Sequence, residues 1–262
     1  MRATDAPCKT AEGAFMEHAL FEILVVAHIL TGASGAIAFW IPVLGRKGDK
    51  AHRKAGAVFV TTMILTGAFA MGMSALTLIE PMGTHPHLVN KFEPAFVRGI
   101  FGWLMLHLGL LTINLAWYGW LCVQHRTRRE RMREWRNLAL QPLLFAAAAN
   151  CAAQGWIIGE PLMIGLSVIG VATVLTNLWF LYKPAPGAMD WLKEHVKALI
   201  GAGISVYTAF MAFGSVRLLP ELALNPAMWA APAATGIGYI LWRWRLIDRS
   251  QRAQNRAPVA SS

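Results

Sequence analysis

Charge is scarce in this chain: 15% of its 262 residues are Asp, Glu, Lys or Arg, against about 25% in an ordinary soluble domain. Such a deficit excludes a typical cytosolic enzyme. Cysteine is scarce too. Cys8, Cys122 and Cys151 are scattered and form no Cys-x-x-Cys pair, which excludes a zinc or iron–sulfur centre built on thiolates. There is no glycine-rich phosphate loop, no His-Glu-x-x-His and no Gly-x-Ser-x-Gly, so three common catalytic chemistries drop out. A retinal Schiff base needs a lysine within a span, and Lys197, at a span edge, is the nearest candidate. Alternating apolar and polar residues are absent, which excludes a β-barrel. Residues 1–18 are polar and mixed in charge, unlike a secretory leader.

What is present is hydrophobic. Apolar residues make up 56% of the chain and mean hydropathy is +0.44. A helix needs roughly 20 apolar residues to cross a bilayer. Seven runs qualify: Ala19–Val43, Gly56–Ile79, Gly99–Val123, Leu138–Gly159, Pro161–Tyr182, Ala198–Val216 and Leu222–Trp242. Backbone groups in lipid must bond within their own segment, so helices follow. The expectation is an all-α polytopic protein with about seven transmembrane helices in one bundle. It divides into an outer tail (1–18), a membrane domain (19–245) and a basic cytoplasmic tail without fixed structure (246–262).

The net charge of +10 could point to nucleic acid, but the basic residues fall between and after the apolar runs. Anionic head groups and topology control explain them, and no nucleic-acid partner is expected. Arg46, Lys47, Lys50, Arg53 and Lys54 lie on the same side as Arg126, Arg128, Arg129, Arg131, Arg133 and Arg136. Lys183, Lys193, Lys197, Arg243, Arg245, Arg249, Arg252 and Arg256 join them, leaving Arg2, Lys9, Lys91, Arg98 and Arg217 opposite. Basic loops stay in the cytoplasm. The expectation is therefore a multi-pass protein of the cell inner membrane, amino terminus outside and carboxyl terminus inside. The strongly basic run Gln124–Asn137 reads as a solvated cytoplasmic extension of the third helix. Gly159-Glu160-Pro161 reads as a tight turn, and Pro142 and Pro232 as kinks or local unwinding.

Depth gives the histidines their interest. His28 lies nine residues beyond Ala19 and His107 nine beyond Arg98, so both sit about 14 Å inside the outer edge. Buried imidazoles at matched depth suit the axial ligation of one haem b, with His28 and His107 on its iron. Gly32 and Gly35 would clear space beside His28, and Asn114, at i+7 from His107, could bond a propionate. His52 and His195 each open a span with His-x-Lys-Ala, and form a weaker second pair near the cytoplasmic face. His85 and His87, in His-Pro-His on the outer side, could hold copper or zinc.

His28-Ile-Leu-Thr-Gly32, His52-Arg-x-x-Gly56 and His195 before a Gly-Ala-rich helix ending Thr208-Ala-Phe210 resemble a bacterial family of polytopic membrane proteins of unknown function. In layout the chain is also similar to transmembrane b-type cytochromes, although His52 and His195 fall at span edges. That second likeness implies electron transfer, with a quinone or redox protein as partner. The alternatives are a transporter or small-molecule binding protein using the same histidines for protons, or an accessory subunit without chemistry. For a transporter, Glu22, Asn114, Asn150, Gln154 and Asn177 are the expected lining residues.

Overall fold

The computed structural model describes residues 11–214 and 225–256, and every regular element among them is helical. Seven long helices carry the fold: α1 (Ala11–Leu44), α2 (Lys50–Ile79), α3 (Met105–Gln124), α4 (Trp135–Ile158), α5 (Pro161–Tyr182), α6 (Asp190–Ala209) and α7 (Pro226–Arg256). The ends of the sixth and seventh apolar runs, at Val216 and Leu222, lie outside the described residues. Five stretches are long and apolar enough to cross a bilayer: Met16–Leu44, Lys50–Ile79, Pro94–Gln124, Pro161–Tyr182 and Asp190–Ala212. α4 and α7 have the length with less apolarity. α4 carries Asn137, Gln141, Asn150 and Gln154, and α7 ends in a basic segment.

The helix ends follow local chemistry. Asp49 accepts from the His52 main-chain N–H at 2.7 Å and starts α2, satisfying one of the donors a helix leaves open. Gly159, at φ +70°, stops α4 in a left-handed cap that a side chain would disfavour. Two residues later α5 begins and packs back along α4, as the short connection requires.

α3 is the axis of the bundle. It touches α2, α4, α5 and α6, while α1 packs outside α2 and α7 outside α6. Glycine permits the closest crossing. A Cβ on Gly67 of α2 would lie 2.7 Å from the Gly109 carbonyl oxygen of α3, and one on Gly109 would lie 2.9 Å from the Gly67 oxygen. The two backbones therefore touch. Gly203 of α6 similarly receives the Phe39 ring of α1.

Three expectations change. α4 and α7 remain helical through Pro142 and Pro232, so neither unwinds there. Departures from α geometry lie instead in π-helical turns, Arg98–Leu104 leading into α3 and Phe210–Gly214 extending α6. The run Gln124–Asn137 does not extend α3, which ends at Gln124. Its middle is a 3-10 turn, Arg129–Arg133. Arg129 there donates to the Phe180 carbonyl at 3.0 Å, and Arg133 to that of Leu181 at 2.7 Å. Cations favour a helix carboxyl end because its last carbonyls lack partners, so this segment folds onto α5. Finally, α7 continues to Arg256, well into the tail expected to be unstructured.

Candidate functional site

The loops after α1, α3 and α5 and the far end of α7 share one end of the bundle, called here the basic end. From that end a chain of polar side chains runs into the core. Glu194 and Lys197, one turn apart on α6, form an ion pair of 2.5 Å and are 15% and 17% exposed. Tyr118 of α3 donates its hydroxyl to Glu194 Oε2 at 2.9 Å, and the Lys197 ammonium lies 5.6 Å from the Tyr118 ring centre. Lys197 also donates to Thr176 Oγ1 at 3.0 Å and Asn177 Oδ1 at 3.3 Å, both on α5.

Asn177 carries the chain inward. Its Nδ2 donates to Asn114 Oδ1 on α3 at 3.0 Å and to Gln141 Oε1 on α4 at 3.4 Å. Gln141 Nε2 donates to the Asn137 carbonyl at 3.1 Å, and Asn137 Nδ2 to that of Met132 at 2.7 Å. Asn114, Asn137 and Asn177 have no exposed surface. Four helices thus meet at a connected network of amides with an ion pair at its mouth. Asn114 is ten residues from the end of α3, about 15 Å deep. Its Nδ2 has no hydrogen-bond partner among the described residues.

Two turns further along α3 comes His107. It is fully buried, and its Nε2 lies 3.3 Å from the Leu166 carbonyl of α5, which makes that nitrogen the N–H donor. Nδ1 is left as a lone pair with no hydrogen-bond partner among the described residues. The ring rests on Gly170 of α5, where a Cβ would overlap Cε1. His107 with Gly170 and Asn114 with Asn177 keep one seven-residue register, so α3 and α5 run parallel with their polar faces matched.

The other expected site residues lie elsewhere. His28 Nδ1 bonds the Thr66 carbonyl of α2 at 3.0 Å. The room beside it is taken by α2: Thr66 Cγ2 would be 3.6 Å from a Cβ on Gly32, and Met63 and Thr62 crowd Gly35. His28 therefore faces α2 while His107 faces α5, and one haem between them would need both rings to turn. A cavity of about 340 Å³ opens between α2, α3 and α4, lined by Met71, Trp103, Leu110 and Asn150 among others and by no histidine. His195 Nδ1 bonds the Gly119 carbonyl at 2.9 Å, while His52 Nδ1 is buried with no hydrogen-bond partner among the described residues. These two imidazoles are within electrostatic reach of each other.

At the opposite end, His85 is wedged between the Phe101 and Phe21 rings, centroids 4.5 and 5.3 Å away, with Nδ1 on Thr84 Oγ1 at 3.0 Å. Burial, with His87 nearby, holds its pKa down to about 4. His87 is exposed, its ring 6.0 Å from that of His85. Among the described residues no three of His, Cys, Asp and Glu converge as a metal centre. Of the expected lining residues, Asn114 and Asn177 meet, Asn150 faces the apolar cavity and Glu22 is exposed.

Tyr118, Gln141, Asn137 and Glu194 are members of the network that sequence reading missed. Asn137 and Gln141 at i,i+4 on one face of α4 were the available signal. A scan of family models finds no match to this chain, and comparisons with curated proteins and with solved structures find none either.

Proposed function

We propose that the chain is a membrane transport protein that crosses the bilayer seven times, amino terminus outside, with its basic end in the cytoplasm. α3, α4, α5 and α6 line the path of a small polar solute or ion. One observation carries this reading: the Glu194–Lys197 pair continues without interruption through Asn177 to Asn114 and Gln141. Amide bridges alone would serve helix packing. Charges inside a span are costly and mark solute and proton routes, and Asn114 Nδ2 is left to meet whatever passes. The exposed Trp40, Trp179 and Trp242 ring the basic end, where aromatic side chains mark an interface.

The test uses purified full-length protein in liposomes loaded with dyes for H⁺, Na⁺ and K⁺, with amine and carboxylate uptake followed in parallel. At least one species should cross tenfold faster than in empty vesicles and lose that excess in Lys197→Met. Equal rates for wild type and variant across the whole set refute the reading.

A second reading keeps haem b, bound near the basic end by His52 and His195. The bond from His195 Nδ1 to the Gly119 carbonyl leaves Nε2 for iron, the arrangement that metal-bound histidines favour. Such a haem would supply one-electron transfer to a quinone or redox protein. An optical spectrum before and after dithionite decides it: absence of a Soret band rejects haem.

A further inference from the structure

We infer that the species carried along this path is the proton, and that His107 is its station beyond the amide network. The inference rests on the transport reading above and names its substrate. A metal cation needs several oxygen ligands around one point. Between His107 and Asn114 the buried side chains include the apolar Leu110, Leu111 and Val174, and the Thr112 and Thr173 hydroxyls are given to the Leu108 and Ile169 carbonyls, each at 2.8 Å. What this stretch offers is one bare basic nitrogen at its far end and one amide N–H at its near end. An imidazole with a free lone pair is a base that can take up a proton and release it again.

Little else competes for that proton. The stretches packed around His107 contribute Ala148 from α4 and Leu166 and Gly170 from α5. The ionisable side chain there is Cys151, one turn from Ala148, whose thiol donates to the Met163 carbonyl at 3.7 Å. α2 carries no ionisable residue between Gly56 and Ile79. Seven residues of helix separate His107 from Asn114, about 10 Å, a distance that two or three hydrogen-bonded waters cross.

The step balances simply. The imidazolium Nδ1–H bond breaks and its proton passes to the adjoining water. The water file carries the proton to the level of Asn114. One turn along α3 the Tyr118 hydroxyl oxygen takes it up and passes its own proton to the Glu194 carboxylate, which it bonds at 2.9 Å. His107 is left neutral, and nothing is oxidised or reduced. The Asn114 amide donates into the file and orients it without itself taking the proton. Return in the other direction reverses the order.

The experiment uses the full chain in liposomes containing pyranine, with a potassium diffusion potential set by valinomycin. Wild type should acidify or alkalinise the lumen with the sign of the potential. His107→Gln keeps an N–H for the Leu166 carbonyl but has no basic nitrogen, and should lower proton flux at least tenfold with helical content unchanged. Gly170→Ala, whose Cβ displaces the ring, should lower it by a smaller factor. Proton flux in wild type no greater than in empty vesicles overturns the inference whatever the variants do, and wild-type flux in a folded His107→Gln also overturns it. If another species then proves sensitive to Lys197→Met, transport stands and only the proton assignment falls. If no species is sensitive, the transport reading falls as well.

Discussion

Toward the basic end, Asn114, Gln141, Asn177, Glu194 and Lys197 bond one another across four regular α-helices. Toward the opposite end, His107 bonds a single carbonyl, and α3 and α6 both widen into π turns. A π turn inserts a residue and so rotates everything beyond it, and such turns recur at functional sites. Ile100, Leu104 and Ala212 from those turns pack with Cys151, Met163 and Trp229 into a second, smaller core. One half is thus cross-linked by polar bonds and the other is held by side-chain fit. The first should be the rigid half and the second the compliant one.

That contrast can be broken from either end. The largest effect is expected from Lys197→Met, which strips Glu194 of its counter-charge in a largely buried site. It should cost about 3–4 kcal/mol in reversible detergent unfolding, and adding Glu194→Gln should recover more than half. On the far side, His85 provides the contrast. Its folded pKa, about 4, is below the ordinary 6.5, so the fold favours the neutral ring. The stability this gives is complete above pH 6.5 and is lost as pH falls through 4. About 2–3 kcal/mol should disappear over that window, and His85→Phe should flatten the dependence. Asn177→Leu ranks next: it leaves Asn114 and Gln141 oxygens unpaired, about 2 kcal/mol, and should raise amide exchange in α4 and α5 more than in α1. Arg133→Ala should cost least, about 1 kcal/mol, measured as a lower unfolding midpoint with proton flux unchanged.

Much of the fold was legible because length and apolarity are one-dimensional. Runs of about 20 apolar residues gave long helices, and Gly159-Glu160-Pro161 gave the turn between α4 and α5. Facing was not legible. Depth follows from a rise of about 1.5 Å per residue, whereas direction turns about 100° with each step. Helices that are apolar all round leave little pattern from which to read it. His28 and His107 share a depth and point to different neighbours for that reason. Asn114 and Asn177 were singled out as polar residues within apolar runs, and they meet because each faces inward from parallel helices. Glu194 and Tyr118 escaped notice because each is unremarkable until α3 and α6 lie side by side. The π turns left no signal either, since their residues are as apolar as their neighbours.

The touching backbones at Gly67 and Gly109 carry a consequence for how this sequence can diverge. Residues on the exposed apolar faces of the helices can be exchanged among aliphatic types at small cost, because no packed neighbour sets a shape for them. The two crossing positions have no such latitude: the smallest possible replacement pushes a methyl group into a carbonyl oxygen. Descendants of this sequence should therefore drift almost freely around their circumference while these two sites stay fixed, and a deep mutational library scored for expression would find both among its least tolerant positions.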